Sequence, residues 1–346
     1  MLGGFCYLRS QLIVLKLSIR LPVGLVALLL GILCLITKPA TGQRYTNLAL
    51  EGGGIRGIAY VGAFEELERR HLLDSIHNVA GTSVGAVAGC LLSVGYSAEE
   101  IRGLMFSLKV QHFNDGHWFF LGGQWRMRRQ YGWYLGDAME RWIEAQIAAK
   151  TGVRRLSFGQ LHRLAVGDHH YKDLFVTASN LSAQKLCVFS WKEFPDMEIA
   201  VAVRASMSVP LYFRALRLDS SGKKDPSGDV YVDGGVVMNY PLALFDSGGI
   251  NPHTLGLKLE RPEQIPYYDQ STAIAPYTIR NFRGYVGALY NLTIETLARK
   301  TPMEEERFRT IYISTAGMNP RVRKITTAQK SVLYQSGRTA ARDFFE

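Results

Sequence analysis

The stretch that most constrains this chain runs from Asn78 to Leu92, Asn-Val-Ala-Gly-Thr-Ser-Val-Gly-Ala-Val-Ala-Gly-Cys-Leu-Leu. A short apolar run, Ile76 to Ala80, feeds into Gly81-Thr82-Ser83-Val84-Gly85, and small and apolar residues continue at helical spacing to a stop at Gly95. The spacing predicts a strand, a tight turn and a helix. A serine at the apex of such a turn takes a strained backbone, with glycine on either side because a side chain there would clash. Strain of this kind costs about 1 to 3 kcal/mol and persists only where something holds it. The gain expected is a Ser83 hydroxyl raised above the sheet edge at the positive end of the following helix, where alkoxide character is favoured.

A second glycine turn precedes it. Leu48 to Glu51 reads as a short strand, Gly52-Gly53-Gly54-Ile55-Arg56-Gly57 as the turn, and Ile58 to His71 as a helix with Tyr60, Phe64 and Leu67 on one face. Gly52, Gly54 and Gly57 also fit the dinucleotide fingerprint G-x-G-x-x-G, with Asp74 about 20 residues beyond, which admits a dinucleotide-binding oxidoreductase. Such a fold uses its second strand to present an acid to ribose, whereas the second strand here ends in the serine turn. The other use of backbone N–H groups at a helix start is an oxyanion hole. Gly52, Gly53, Gly54, Arg56 and Gly57 form that candidate turn, and amides near Gly53 and Gly54 would hold the oxygen that becomes negative when Ser83 attacks an ester carbonyl.

Further along stands Arg204-Ala-Ser-Met-Ser-Val-Pro210, whose Ser206 and Ser208 receive no catalytic role, since polar turn residues before a proline are ordinary. Ser220 to Gly228 is a polar loop, Val230 to Val232 a strand, and Asp233-Gly234-Gly235 stands at its end before Val236 to Pro241. With these blocks the chain resembles the patatin-like phospholipase family, whose pattern is a glycine-rich oxyanion turn, then G-x-S-x-G, then a late Asp-Gly-Gly or Asp-Gly-Ala. Residues 48–57 and 78–89 match the first two blocks closely. The resemblance implies a three-layer α/β/α fold with a mostly parallel central sheet flanked by helices. It also implies a Ser83–Asp233 dyad, an acyl-serine intermediate, and a phospholipid or other lipid ester as substrate. No metal or organic cofactor is implied, and independence of calcium is an expectation.

The chemistry asked of Asp233 is demanding, because an ordinary carboxylate, with a pKa near 3.9, is a poor base for an alcohol. The site must raise that pKa by desolvation, lower that of the serine, or both. The rival is an α/β-hydrolase triad in the order Ser83, Asp233, His253, which the sequence permits. Asn251-Pro-His-Thr254, however, reads as a turn leading into a strand from Leu255 to Leu259.

The net charge of +10 divides unevenly. Residues 1–50 hold five basic residues and no acidic one, leaving +5 on the body, which suits an anionic membrane surface or anionic lipid as readily as nucleic acid, though no clustered basic-aromatic nucleic-acid motif is present. Leu21 to Ile36 is an uncharged run with basic residues ahead of it and Ala40-Thr-Gly42 behind, the pattern of a cleaved export signal or an uncleaved anchor. The expected organisation is an export leader over 1–42, a catalytic domain over 46–260, and C-terminal elements over 261–346 completing the same domain. The protein is expected to be exported or membrane-associated. The four cysteines and scattered histidines show no C-x-x-C or H-E-x-x-H spacing, so no metal site is predicted.

Between the blocks, Ser97 with Glu100 predicts a capped helix to about Leu108, and Asp137 with Glu140 a second capping box. His112 to Tyr134 interleaves Trp118, Phe119, Phe120, Trp125, Tyr131, Trp133 and Tyr134 with Arg126, Arg128 and Arg129. This segment suits either a lipid headgroup boundary or a flap packed over the core. A helix over Asn281 to Lys300, a strand over Phe308 to Ser314 and a closing helix from Thr326 complete the reading.

Overall fold

Successive strand-helix crossovers lay five strands side by side and parallel. In this computed structural model, residues 45–116, 119–267, 274–281, 284–285, 288–289, 292, 306–318 and 324–346 are described. Strand β1 (Asn47–Leu50) leads through a 3₁₀ turn (Gly54–Ile58) into α1 (Ala59–Arg69), and β2 (Asn78–Gly81) into α2 (Val84–Ser93). Next come α3 (Ala98–Ser107), α4 (Phe119–Gln130), β3 (Gly132–Tyr134), α5 (Asp137–Thr151) and α6 (Phe158–Gly167). Strands β4 (Asp173–Asn180) and β5 (Lys185–Phe189) precede α7 (Ile199–Ser206), followed by β6 (Leu211–Phe213), β7 (Leu216–Leu218) and β8 (Asp229–Asp233). Strands β9 (Thr254–Glu260) and β10 (Thr310–Ser314) and helix α8 (Thr327–Phe344) close the chain.

The main sheet runs β10-β9-β1-β2-β4-β8-β7, with β5 also paired to β4. The pairs from β10 to β4 are parallel, and β8 returns antiparallel against β4. Fold class is therefore mixed α/β with a mostly parallel central sheet flanked by helices. The register matters for function. Leu50, Gly81, Val176 and Leu257 share one row across four strands, so the turns after β1 and β2 leave the sheet at the same edge. Asp233 pairs with Ala178, two residues beyond Val176, which brings the end of β8 to that edge too.

Burial explains the local patterns. Every residue of β1 and of β9 is buried, as befits strands covered on both faces, and all ten residues of α2 are buried, so this helix has no polar stripe. Helix α8 lies on α1 at small-residue contacts, where a Cβ at Gly337 would strike the Ala59 carbonyl and one at Gly62 the Tyr334 carbonyl. Strand β10 pairs with β9, so the C-terminal segment extends the same sheet.

One capping expectation is corrected. Ser97 and Glu100 form their box as read, but Asp137 is the first helical residue of α5 rather than its cap. Gly136 occupies the cap position at φ +73°, and the orphan amides of Gly136 and Ala138 donate to the carboxylate of Asp115, 21 and 23 residues away in sequence. Asp137 and Glu140 instead pair with Arg214 and Lys224. A cap delivered from another loop leaves no local signature. The run Leu21 to Ile36 and most of Asn281 to Lys300 lie outside the described residues. Among the described residues no helix is long and apolar enough to cross a membrane.

Candidate active site

The sharp bend after β2 places Ser83 at φ +54°, in the left-handed region that side chains disfavour. Its flanking glycines follow from contact rather than flexibility: a Cβ on Gly85 would strike the Leu50 carbonyl, and one on Gly81 the backbone of Gly85. Thr82 ties the bend down from beneath, sharing a hydrogen bond with the Thr177 hydroxyl (2.6 Å) and donating to the Met238 carbonyl (3.0 Å). Val84 begins α2 and packs against Gly57.

The Ser83 hydroxyl donates to Asp233 Oδ2 at 2.7 Å, and both residues are buried, each 6% exposed. The other carboxyl oxygen accepts the Gly235 amide at 2.8 Å, so the Asp-Gly-Gly turn holds its own acid in place. Gly234 lies against Thr177, where a side chain would collide. Burial lifts the Asp233 carboxyl from 3.8 to about 6, against the opposing pull of the hydrogen bonds from Ser83 and Gly235. A carboxylate with that affinity for protons is far better matched to an alcohol than one in water.

Within the first glycine turn the structure separates the candidate donors. The Gly52 amide donates to the Asn239 carbonyl (3.0 Å), and the Arg56 amide and guanidinium both return to the Gly53 carbonyl, the latter at 3.0 Å. Gly57 is buried under Val84. The amides of Gly53 and Gly54 have no acceptor among the described residues, and Gly54 sits at φ +56° at the start of the 3₁₀ turn. Gly52 itself lies beside Ser83, since a Cβ there would come 3.3 Å from Ser83 Cβ.

Three residues of the site went unassigned in the sequence. Ser206 accepts the backbone N–H of Ser83 on its hydroxyl at 2.8 Å, fixing the strained residue from the end of α7. Asn239 donates to the Gly52 carbonyl and to the Glu51 carboxylate, each at 3.2 Å, while Glu51 also accepts the Leu259 amide at 2.7 Å. Together Glu51 and Asn239 lock the first glycine turn to the loop after the acid. Ser206 stands in the block before the proline, but its partner lies 123 positions away, so spacing alone could not reveal it. Beside the bend opens an apolar pocket walled by Val84, Val87, Met105, Phe113, Trp142 and Phe213 and bordered by Gly54 and Met207, whose sulfur lies 3.4 Å from the Ser83 hydroxyl oxygen.

The two rival readings fail on position. His253 is exposed and precedes the first residue of β9, whereas Ser83 lies past the row at Leu257, so a strand length of ~13 Å separates the two. Asp74 is exposed, pairs with His71, and sits ahead of β2 rather than at its carboxyl end, where a ribose-binding acid belongs.

The family model for patatin-like phospholipases matches residues 48–246, more than half of the chain and spanning all three blocks. The uncharacterized protein R571 of Acanthamoeba polyphaga mimivirus is 31% identical over 253 residues, covering 73% of this chain and 77% of that protein. The probable lipid hydrolase 463L of Invertebrate iridescent virus 6 is 26% identical over 206 residues, covering 58% of this chain and 63% of the viral protein. Among solved structures, VipD from Legionella pneumophila matches with a TM-score of 0.57 at 18% identity, over 87% of this chain and 66% of VipD, just under two thirds of its length. Sequence blocks, sheet and family match agree, and the chain belongs to the patatin-like phospholipase family of lipid ester hydrolases.

Proposed function

We propose that the protein hydrolyses an acyl ester of a phospholipid or lysophospholipid through a Ser83–Asp233 dyad and an acyl-serine intermediate. The observation that carries this reading is the 2.7 Å hydrogen bond from a strained, buried serine to a buried carboxyl raised to about 6. Asp233 takes the hydroxyl proton as Ser83 Oγ bonds to the ester carbonyl carbon. The oxyanion forms against the amides of Gly53 and Gly54, and the proton passes to the departing alcohol as the carbonyl re-forms. Water then repeats the sequence on the acyl-serine, giving up its proton to Asp233 and releasing a fatty acid. Losing one oxyanion donor costs about 2.7 to 4 kcal/mol in comparable sites. The pocket beside Val84 and Phe113 would offer the acyl chain an apolar wall, a reading supported by Gly54 and Met207 standing among its lining residues.

The test is intact-mass measurement after exposure to a serine-directed fluorophosphonate. A single adduct on the wild-type chain and none on Ser83→Ala is the expected result; an unmodified wild type sinks the reading. The free-enzyme kcat/KM for a soluble ester should rise through an apparent pKa of about 6 as Asp233 ionises, and a profile with no such limb removes Asp233 as base. Ser206→Ala should lower kcat about tenfold with little change in KM, a barrier increase of about 1.4 kcal/mol that falls within the cost of stranding a buried donor. Stopped-flow acylation kinetics read that change directly.

A further inference from the structure

Outside the serine bend, two bulky residues meet in a strained arrangement. Tyr131 and Leu211 both stand at positive φ, +60° and +66°, an arrangement that costs a bulky residue about 1 to 2 kcal/mol. They are neighbours, because Tyr131 precedes Gly132, which pairs with Leu211 between β3 and β6. The strain does not bury them: Tyr131 is 47% exposed and Leu211 65%. On adjoining α4, Trp125 is 57% exposed. Arg128 and Arg129 follow it at the third and fourth positions, on the same helix face, and are exposed with no salt bridge among the described residues.

The orientation of α4 is fixed from the other side. Arg126 is buried and donates from Nε to the Trp133 carbonyl at 2.9 Å, and Gly123 packs under the Trp133 ring, which leaves Trp125, Arg128 and Arg129 facing out. From Gly116 to Gly136 the chain carries three arginines and no acidic residue. Strand β6 links this surface to the site, since Phe213, two residues or ~7 Å beyond Leu211, lies in the pocket wall. An aromatic ring, a tyrosine and a leucine held out in solvent beside unpaired guanidinium groups match a headgroup boundary, where rings and aliphatic side chains enter the acyl edge and arginines meet phosphates.

We propose that Trp125, Tyr131 and Leu211, flanked by Arg128 and Arg129, form the face that docks on an anionic phospholipid bilayer and presents the pocket mouth to it. The purpose of this face rests on the acyl-hydrolase reading, but its binding does not. The full chain is assayed on soluble p-nitrophenyl butyrate and on vesicles of equal parts phosphatidylcholine and phosphatidylglycerol. Trp125→Ser combined with Leu211→Ser should cut vesicle turnover at least about tenfold while soluble-ester turnover, which also reports folding, stays within about twofold. Arg128→Gln with Arg129→Gln should weaken binding to these vesicles about thirtyfold at low salt and leave pure phosphatidylcholine binding unchanged. Binding is measured by co-sedimentation in the Ser83→Ala background. A chain that binds vesicles but cleaves neither ester therefore overturns the hydrolase reading and supports the docking face. Vesicle affinity and the vesicle-to-soluble turnover ratio remaining within about twofold of the parent would overturn the docking face. So would an apolar variant that converts a dimer to a monomer without altering vesicle affinity, since the face would then belong to a second copy of the chain.

Discussion

Ser83→Ala and Asp233→Asn each lower kcat for a soluble carboxylic ester by about ten-thousand-fold or more, and the double variant is no worse than either single one. The non-additivity is the informative part. A nucleophile and the base that takes its proton act in one step, so removing either removes the same barrier reduction, and the residual rate comes from whatever the oxyanion turn and pocket still provide. The geometry supports one base and not two. Asp233 is 2.7 Å from the hydroxyl, while His253 lies at the opposite edge of the sheet. His253→Ala is therefore expected to stay within about twofold of wild type, since an exposed side chain a strand length away cannot reach the reacting atoms. Steady-state kinetics on one soluble ester decide all four variants. A near-total loss in the His253 variant would overturn the dyad, and a Ser83→Ala protein with wild-type kcat would move the chemistry elsewhere.

The two glycine turns and the acid turn were legible because each is dictated by its immediate neighbours. A Cβ at Gly81 or Gly85 collides with backbone, so the G-x-S-x-G string is written by contacts that short spacing can reveal. Strands β1, β2 and β9 were legible for a related reason, as short apolar runs bounded by turn residues. What escaped depends on partners far away in sequence. The Asp115 cap on α5, the Ser206 hydroxyl on the Ser83 amide and the Glu51–Asn239 brace each join residues between 21 and 188 positions apart, and none changes the local pattern around it. The false capping box at Asp137 shows the same limit from the other side. Its residue types and spacing were right, but Arg214 and Lys224 claimed both carboxylates. The narrowing of the candidate oxyanion donors to Gly53 and Gly54 also needed three dimensions, because only the fold shows that the Asn239 carbonyl occupies the Gly52 amide.

The variant that removes the proposed base, Asp233→Asn, is also expected to be the more stable protein at neutral pH. Burial holds the Asp233 carboxyl at about 6, above the 3.8 it has when exposed. Between those values the unfolded chain gives up its proton while the folded chain keeps it. The favourable contribution is fully present below about pH 4 and is lost as pH rises through about 6. Integrated over that window the loss is about 3 kcal/mol, a large share of a typical folding free energy. Asp233→Asn escapes it. The asparagine carbonyl can accept the Gly235 amide while its NH₂ donates to Ser83 Oγ, whose own hydrogen can turn to the Met207 sulfur, so both contacts of the carboxyl are replaced. The expected result is a thermal midpoint matching wild type at about pH 4 and higher by roughly 5 °C at about pH 8, read by calorimetry across the range. A midpoint gap that stays constant with pH would mean that the buried carboxyl is not held proton-hungry, and Ser83 would then face a base too weak to activate it. On the proposed dyad mechanism, the raised proton affinity that destabilises the fold near neutrality is the same property that would let this carboxylate work on an alcohol without a histidine between them.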